Sequence, residues 1–239
     1  LYLIIHSGSR RLGRDVASYH KVQAFFTACG IDPVEAEKKK IRPREVKTNI
    51  IIGQCFLEGA QLERYLHDMD IAVNYASGSR RVMGETIIDA MGLRVDDSFT
   101  TIHNYIDLCD RVLRKGAVRA AAGERLIIPI NMKDGSLLCR GRGNPDWNCT
   151  APHGAGRVLR RSEAKETVTL EEFQLEMEGI YTTSVNESTI DESPMAYRRI
   201  DDILDVIDPT AEVLSVIKPV YNFKASRPSG NDETDDGDD

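Results

Sequence analysis

The hydrophobic spacing of this chain changes once, near Ser98, and that change limits the architectures open to it. Before it, apolar residues recur every three or four positions. Leu62, Tyr65 with Leu66, Met69, Ala72 with Val73, and Ala76 predict one helix, and Met83, Ile87 and Met91 predict a second helical piece up to Gly92. Residues 12–28 also read as helical, and Pro33 and Pro43 bracket a Lys-rich connector, Glu35 to Arg44, expected to be exposed. After Ser98, short β-like runs are separated by Gly, Asn, Asp and Pro: Thr100 to Ile102, Leu126 to Ile130, and Leu137 to Cys139, followed by a loop from Gly141 to Gly156. Glu171 to Glu178 and Asp201 to Ile207 predict short helices, and Leu214 to Phe223 is an apolar stretch. With no internal repeat and no regular βαβ alternation, the pattern reads as α+β rather than as a doubly wound sheet.

The chain opens on Leu1-Tyr2-Leu3-Ile4-Ile5, an apolar run that reads as a buried strand, and it opens without methionine. A chain rarely begins on a core strand. The expectation is that an N-terminal part of the native protein is absent, leaving the flank of that strand exposed and the chain prone to associate. At 239 residues a single domain buries roughly 70 to 75% of the surface its unfolded chain exposes, enough for a core without staples. No apolar run approaches the roughly 20 residues of a membrane span, so the reading is a soluble, cytoplasmic protein. The formal net charge is −7, but the segment 231–239 holds six acids and no base, which leaves the rest nearly neutral. Overall charge therefore gives no nucleic-acid footprint, and residues 226–239 read as a disordered acidic tail. Five widely spaced cysteines without a CxxC pair fit a reducing compartment better than a disulfide framework and do not support a zinc finger.

Three of the five histidines sit in settings unlike a core residue. His6 closes the opening run and begins His6-Ser7-Gly8-Ser9-Arg10, where it either caps its own turn or stands at a strand end beside a cation. His103-Asn104 follows a strand-like run, and the amide could fix the neighbouring ring's tautomer. His153 lies in Pro152-His153-Gly154-Ala155-Gly156-Arg157, where bare backbone N–H groups can approach an anion and Arg157, Arg160 and Arg161 follow. That arrangement suits a phosphate, although a Gly-rich hairpin with a solvated basic edge would read the same way. The loop is neither a Walker loop nor a dinucleotide fingerprint. Arg114-Lys115-Gly116-Ala117 and Arg10-Arg11 are further basic clusters of the kind that usually form solvated faces, and His20 and His67 read as helical bystanders.

The runs HSGSRRLG (6–13), YLHDMDIAVNYA (65–76), HN (103–104), RKGA (114–117), GER (123–125), IPINMKDGS (128–136), PHGAGR (152–157) and DESPMAY (191–197) occur in the order seen in RtcB-type RNA ligases. The chain resembles that family over residues 1–225. The resemblance implies a compact, single-domain α+β fold with a β-rich centre flanked by helices. It also implies a GTP-dependent, Mn²⁺-requiring ligase that joins RNA ending in a 3′-phosphate or 2′,3′-cyclic phosphate to RNA with a 5′-hydroxyl, in tRNA splicing or RNA repair. By motif match His153 would be the nucleophile that becomes guanylated. His6 and His103 match family metal ligands. Asn131, Ser136, Ala155, Gly156, Tyr197 and Lys224 match nucleotide contacts, and Arg10, Lys115, Arg157 and Arg161 match residues that hold phosphate groups.

Departures from the family pattern are equally specific. The family's N-terminal half supplies an aspartate, a cysteine and a histidine to the metal shell and an Asn/Glu pair to the nucleotide, and none of these has a counterpart here. Arg160 replaces the usual serine before Arg161, and Ser79 replaces the usual asparagine before Arg80. Two alternatives follow: a catalytically incomplete fragment that binds nucleotide or RNA phosphate without turnover, and a phosphoesterase acting on RNA ends.

Overall fold

The computed structural model describes residues 1–225, so the expected acidic tail lies outside the described residues. The chain divides into two compact units, Leu1–Ser98 and the part from Phe99 onward. The first is helical and the second β-rich, which is the α+β class that the spacing predicts.

In the first unit, α1 (Arg10–Ala28) packs on α3 (Gly59–Met91), with α2 (Pro33–Lys38) and two 3-10 turns, Pro43–Glu45 and Ile52–Gln54, between them in sequence. Phe25, Phe26 and Ala36 form its buried core. The connector around Pro33 is therefore partly helical rather than merely exposed: Asp32 accepts the Val34 N–H, Pro33 occupies the first turn where its missing N–H costs nothing, and Ala36 is buried. The two helical pieces predicted before Ser98 are one helix of 33 residues. Ser77-Gly78-Ser79 passes through it because one interior glycine costs only about 1 kcal/mol. Gly92, at φ 63°, ends it in the left-handed conformation that glycine adopts without strain, while the Leu93 N–H reaches the Ile88 carbonyl.

The predicted opening strand does not form. Leu1 to Ile4 are exposed and unpaired in any ladder, because the unit around them contains no strand. The segment touches α3 at two points instead: the Ile5 side chain lies against Gly84, and Arg80 donates to the Ser7 carbonyl at 2.8 Å.

In the second unit, β1 (His103–Ile106), β2 (Leu113–Arg119) and β5 (Thr150–Pro152) form one antiparallel sheet in the order β1-β2-β5. A second antiparallel sheet has the order β3-β4-β7, from Arg125–Asn131, Gly135–Gly141 and Ala211–Ile217, and β6 (Tyr181–Thr182) pairs in parallel with β8 (Tyr221–Asn222). The helices α4 (Arg161–Thr167), α5 (Leu170–Glu176) and α6 (Ile200–Ile207) complete it. Leu126, Ile128 and Ile130 alternate into the core from β3, opposite Leu137 and Cys139 of β4. Ile200, Ile203 and Ile207 of α6 cover them from one helix face. Around Phe173 of α5, a separate cluster includes Met132 and Met177.

Two sequence expectations shift here. Thr100 to Ile102 are a lead-in, and pairing begins at His103, so His103 stands inside a strand rather than after one. Part of the expected loop from Gly141 to Gly156 is a 3-10 turn at Pro145–Trp147 and strand β5, which leaves His153 immediately beyond a strand end.

Candidate active site

His153 emerges from β5, and its ring lies 4.7 Å from that of His103 on β1, the two planes tilted by 36°. The strand between them, β2, passes Gly116 at φ 62°, and a Cβ there would sit 3.5 Å from Cε1 and Nδ1 of His153. Only glycine adopts that backbone conformation without cost, and it lies directly against the His153 ring. Asn104 shapes the same spot. It sits at a bulge in the β1–β2 ladder with φ 61°, and its side-chain oxygen accepts the Gly116 N–H at 2.7 Å. The Asn104 carbonyl oxygen is thus engaged by the neighbouring strand, because the bulge turns the residue toward Gly116.

The chain after His153 is fastened on both sides. Ala155 is buried and its N–H reaches the Pro129 carbonyl at 3.2 Å, while the Gly156 carbonyl accepts the Arg198 N–H at 3.1 Å. Arg157 and Tyr197 form an antiparallel bridge, and the Val158 N–H bonds the Ala196 carbonyl at 2.8 Å. The segment carrying His153 and the segment carrying Tyr197 are thus one piece of backbone structure.

Side chains at that junction converge on Glu192. Its carboxylate accepts from Arg161 at 2.8 Å, from the Tyr197 hydroxyl at 2.9 Å and from the Lys224 ammonium at 3.2 Å. Arg161 also reaches Asp191 at 2.9 Å. Burial alone would raise the pKa of Glu192, but the charges of Lys224 and Arg161 outweigh it and hold the carboxyl at about 2. Burial, reinforced by the Glu192 charge, pushes the Tyr197 phenol above its ordinary value. Arg161 would be lowered by burial, yet the Glu192 charge and its two carboxylate bonds raise it overall.

Arg157, expected to grip phosphate, faces inward. Its three donor nitrogens bond the Leu159 carbonyl, the Tyr197 hydroxyl at 2.8 Å and the Asp191 carbonyl, and its guanidinium lies over the Tyr197 ring at 4.7 Å. Arg161 and Lys224 remain partly exposed. Lys115 is exposed on β2 beside Gly116, whereas its neighbour Arg114 is fully buried and paired with Asp107 at 3.1 Å and Asp110 at 2.7 Å. Strand alternation divides that basic cluster between two faces, so reading all of it as one solvated patch is corrected. His6 and Arg10 belong to the first unit, both exposed, with Arg10 opening α1.

A cavity of about 520 Å³ opens at the same junction, lined by Asn131, Lys133, Asp134, Glu176, Met195 and Tyr197 among others. Asn131 spends its amide on the β3–β4 turn, accepting from the Lys133 and Asp134 N–H groups and donating to Asp134. Ser136 is buried on β4, opposite Pro129. The structure therefore gathers His103, His153, Ala155, Gly156, Arg157, Arg161, Tyr197 and Lys224 onto a few connected segments, with Asn131 and Tyr197 on the cavity wall. Sequence reasoning passed over Glu192 and Asp191. The available signal was an acidic pair directly preceding the turn that delivers Tyr197.

Among the described residues, no group of three or more His, Cys, Asp or Glu side chains could hold a metal ion. His20 is buried and bonded to Asp68 at 2.8 Å, His67 bonds the same carboxylate at 3.3 Å, and both sit in the helical unit. All five cysteines are free thiols, and burial pushes Cys139 up to about 11. Among the described residues no helix is long and apolar enough to cross a membrane.

Comparison with known proteins agrees with the family resemblance. The family described as tRNA-splicing ligase RtcB matches residues 1–225. The RNA-splicing ligase RtcB of Escherichia coli K12 is 28% identical over 94% of this chain and 56% of its own length. The tRNA-splicing ligase RtcB of Aeropyrum pernix is 27% identical over 85% of the chain and 47% of its own, and the RNA-splicing ligase RtcB of Mycobacterium tuberculosis is 28% identical over 85% and 51%. The chain spans about half the length of the curated relatives it matches. A family match across all the described residues places the chain in the RtcB family.

Proposed function

We propose that this chain provides the nucleophile and nucleotide-binding part of an RNA ligase that uses GTP and joins 3′-phosphate or 2′,3′-cyclic phosphate ends to 5′-hydroxyl ends. The observation that carries the reading is the His153 ring, set at a strand end against His103 and backed by Gly116. A neutral imidazole nitrogen so placed would attack the α-phosphorus of GTP, forming a P–N bond while the bond to pyrophosphate breaks. The guanylate would then pass to the RNA 3′-phosphate, and the 5′-hydroxyl would displace GMP. Tyr197 and Asn131 would border the base in the 520 Å³ cavity, a size suited to a nucleotide. Arg161 and Lys224 would meet phosphate oxygens, and exposed Lys115 would meet the RNA backbone, giving salt-sensitive binding with little sequence preference.

Manganese fits less well. His6 and His103 are two imidazoles in different units, and among the described residues no third donor joins a pair. Among the described residues the donors do not by themselves make a manganese site. That observation favours, as a second reading, a chain that binds nucleotide and RNA phosphate and turns over only when further donors are supplied.

Incubation with Mn²⁺ and GTP labelled at the α-phosphate, followed by denaturing electrophoresis and peptide mass analysis, tests the proposal. Label on His153 in the chain and none in His153→Ala supports guanylation. Binding of GMP without label supports the second reading, and neither label nor binding overturns both.

A further inference from the structure

Glu192 touches three of the side chains assigned above to nucleotide and phosphate, yet the proposed reaction gives it no task. Its neighbours fix its place closely. Residues Glu187–Glu192 and Pro194–Ala196 form two successive 3-10 turns, separated by Ser193, which is fully buried and accepts the Met195 N–H. Tyr197 follows directly and is bridged to Arg157, four residues beyond His153.

The Tyr197 hydroxyl has one proton and two lone pairs. Arg157 can only donate, and an ionised carboxylate can only accept. The phenol proton therefore points to Glu192 at 2.9 Å, and one lone pair receives Arg157 at 2.8 Å. One lone pair is left, so a ligand atom that reaches this oxygen must bring its own N–H or O–H. Resting on the nucleotide reading above, we propose that Glu192 is a positioning residue, whose carboxylate holds the Tyr197 ring at the cavity wall and wires its hydroxyl as a hydrogen-bond acceptor for a nucleobase N–H. The same carboxylate holds the Lys224 ammonium at 3.2 Å, so base and phosphate contacts are set by one side chain.

The test places 2,3-difluorotyrosine, a more acidic phenol, at position 197 of the full chain and follows its ¹⁹F resonances against pH and against added GMP. Unaltered Glu192, Glu192→Gln and Glu192→Asp are compared, each checked for a native thermal melt. Removing the charge while keeping the shape should lower the phenol midpoint and weaken GMP binding about tenfold, the loss expected for one charged hydrogen bond. Glu192→Asp should restore both. A midpoint that stays in place in Glu192→Gln overturns the wiring, and a midpoint that falls with GMP affinity unchanged overturns the positioning role. If the unaltered chain gives no response to GMP, the nucleotide reading and the positioning role toward it fall together, and the midpoint alone still shows whether Glu192 controls Tyr197.

Discussion

A fully buried guanidinium is tolerable only when its donors are spent, and Arg114 spends them on Asp107, Asp110, the Thr150 hydroxyl and the Asn148 carbonyl. It thereby ties the turn after β1 to β2 and to β5, the strand that delivers His153. Arg114→Met keeps much of the length but leaves buried Asp107 without this partner. We expect a loss of about 3 to 5 kcal/mol in urea unfolding, the usual cost of breaking a buried pair. Glu192 works through pH as well. Its folded value, about 2 against an ordinary 4.5, means that the carboxylate form stabilises the fold above about pH 4.5, and that this contribution fades as pH falls toward 2. The shift corresponds to about 3 kcal/mol, so between pH 7 and pH 3 the unaltered chain should lose more urea stability than Glu192→Gln. Equal losses in the two proteins would contradict this.

At the level of elements, α3 is longer and α6 more deeply seated than their sequences announce. A Cβ added at Gly78 of α3 would meet nothing within 4 Å, so Gly78→Ala should raise stability by up to about 1 kcal/mol, read as a higher melting temperature. Ile207 of α6 is 2% exposed over the β3–β4 core, and Ile207→Ala should cost about 2 to 5 kcal/mol in the same melt. Periodicity revealed α1, β3, β4 and α6 because their buried positions are filled by apolar residues at the right spacing. It missed β2 because Arg114 occupies an inward position of Leu113–Arg119, and a charge there breaks the alternation that marks a strand. It placed a strand at Leu1 to Ile5 because an apolar run carries no information about whether a partner edge exists. Of the site, His103, His153 and Tyr197 were readable as motifs in order. The inward turn of Arg157 and the hub at Glu192 were not, since both depend on contacts between residues more than 30 positions apart.

For the whole molecule, surface chemistry is the dominant consideration. Leu1 and Tyr2 are 93% and 58% exposed in the first unit, and Val220 and Phe223 are 72% and 69% exposed in the second. Exposed apolar side chains of this size favour association. Sedimentation velocity should show the mean mass rising with concentration, and Tyr2→Lys combined with Leu3→Lys should reduce that rise; a constant monomer mass across the range would oppose it. The topology of the β3-β4-β7 sheet has a further consequence for synthesis. Leu137 in its middle strand faces Val216, so on a ribosome that delivers the N-terminal side first, the β3–β4 hairpin emerges long before β7 arrives to cover it. Until then the newborn chain carries a bare, apolar strand edge of the kind that chaperones shield, and Arg161 and Glu192 wait for Lys224, the last cation of their cluster to be translated.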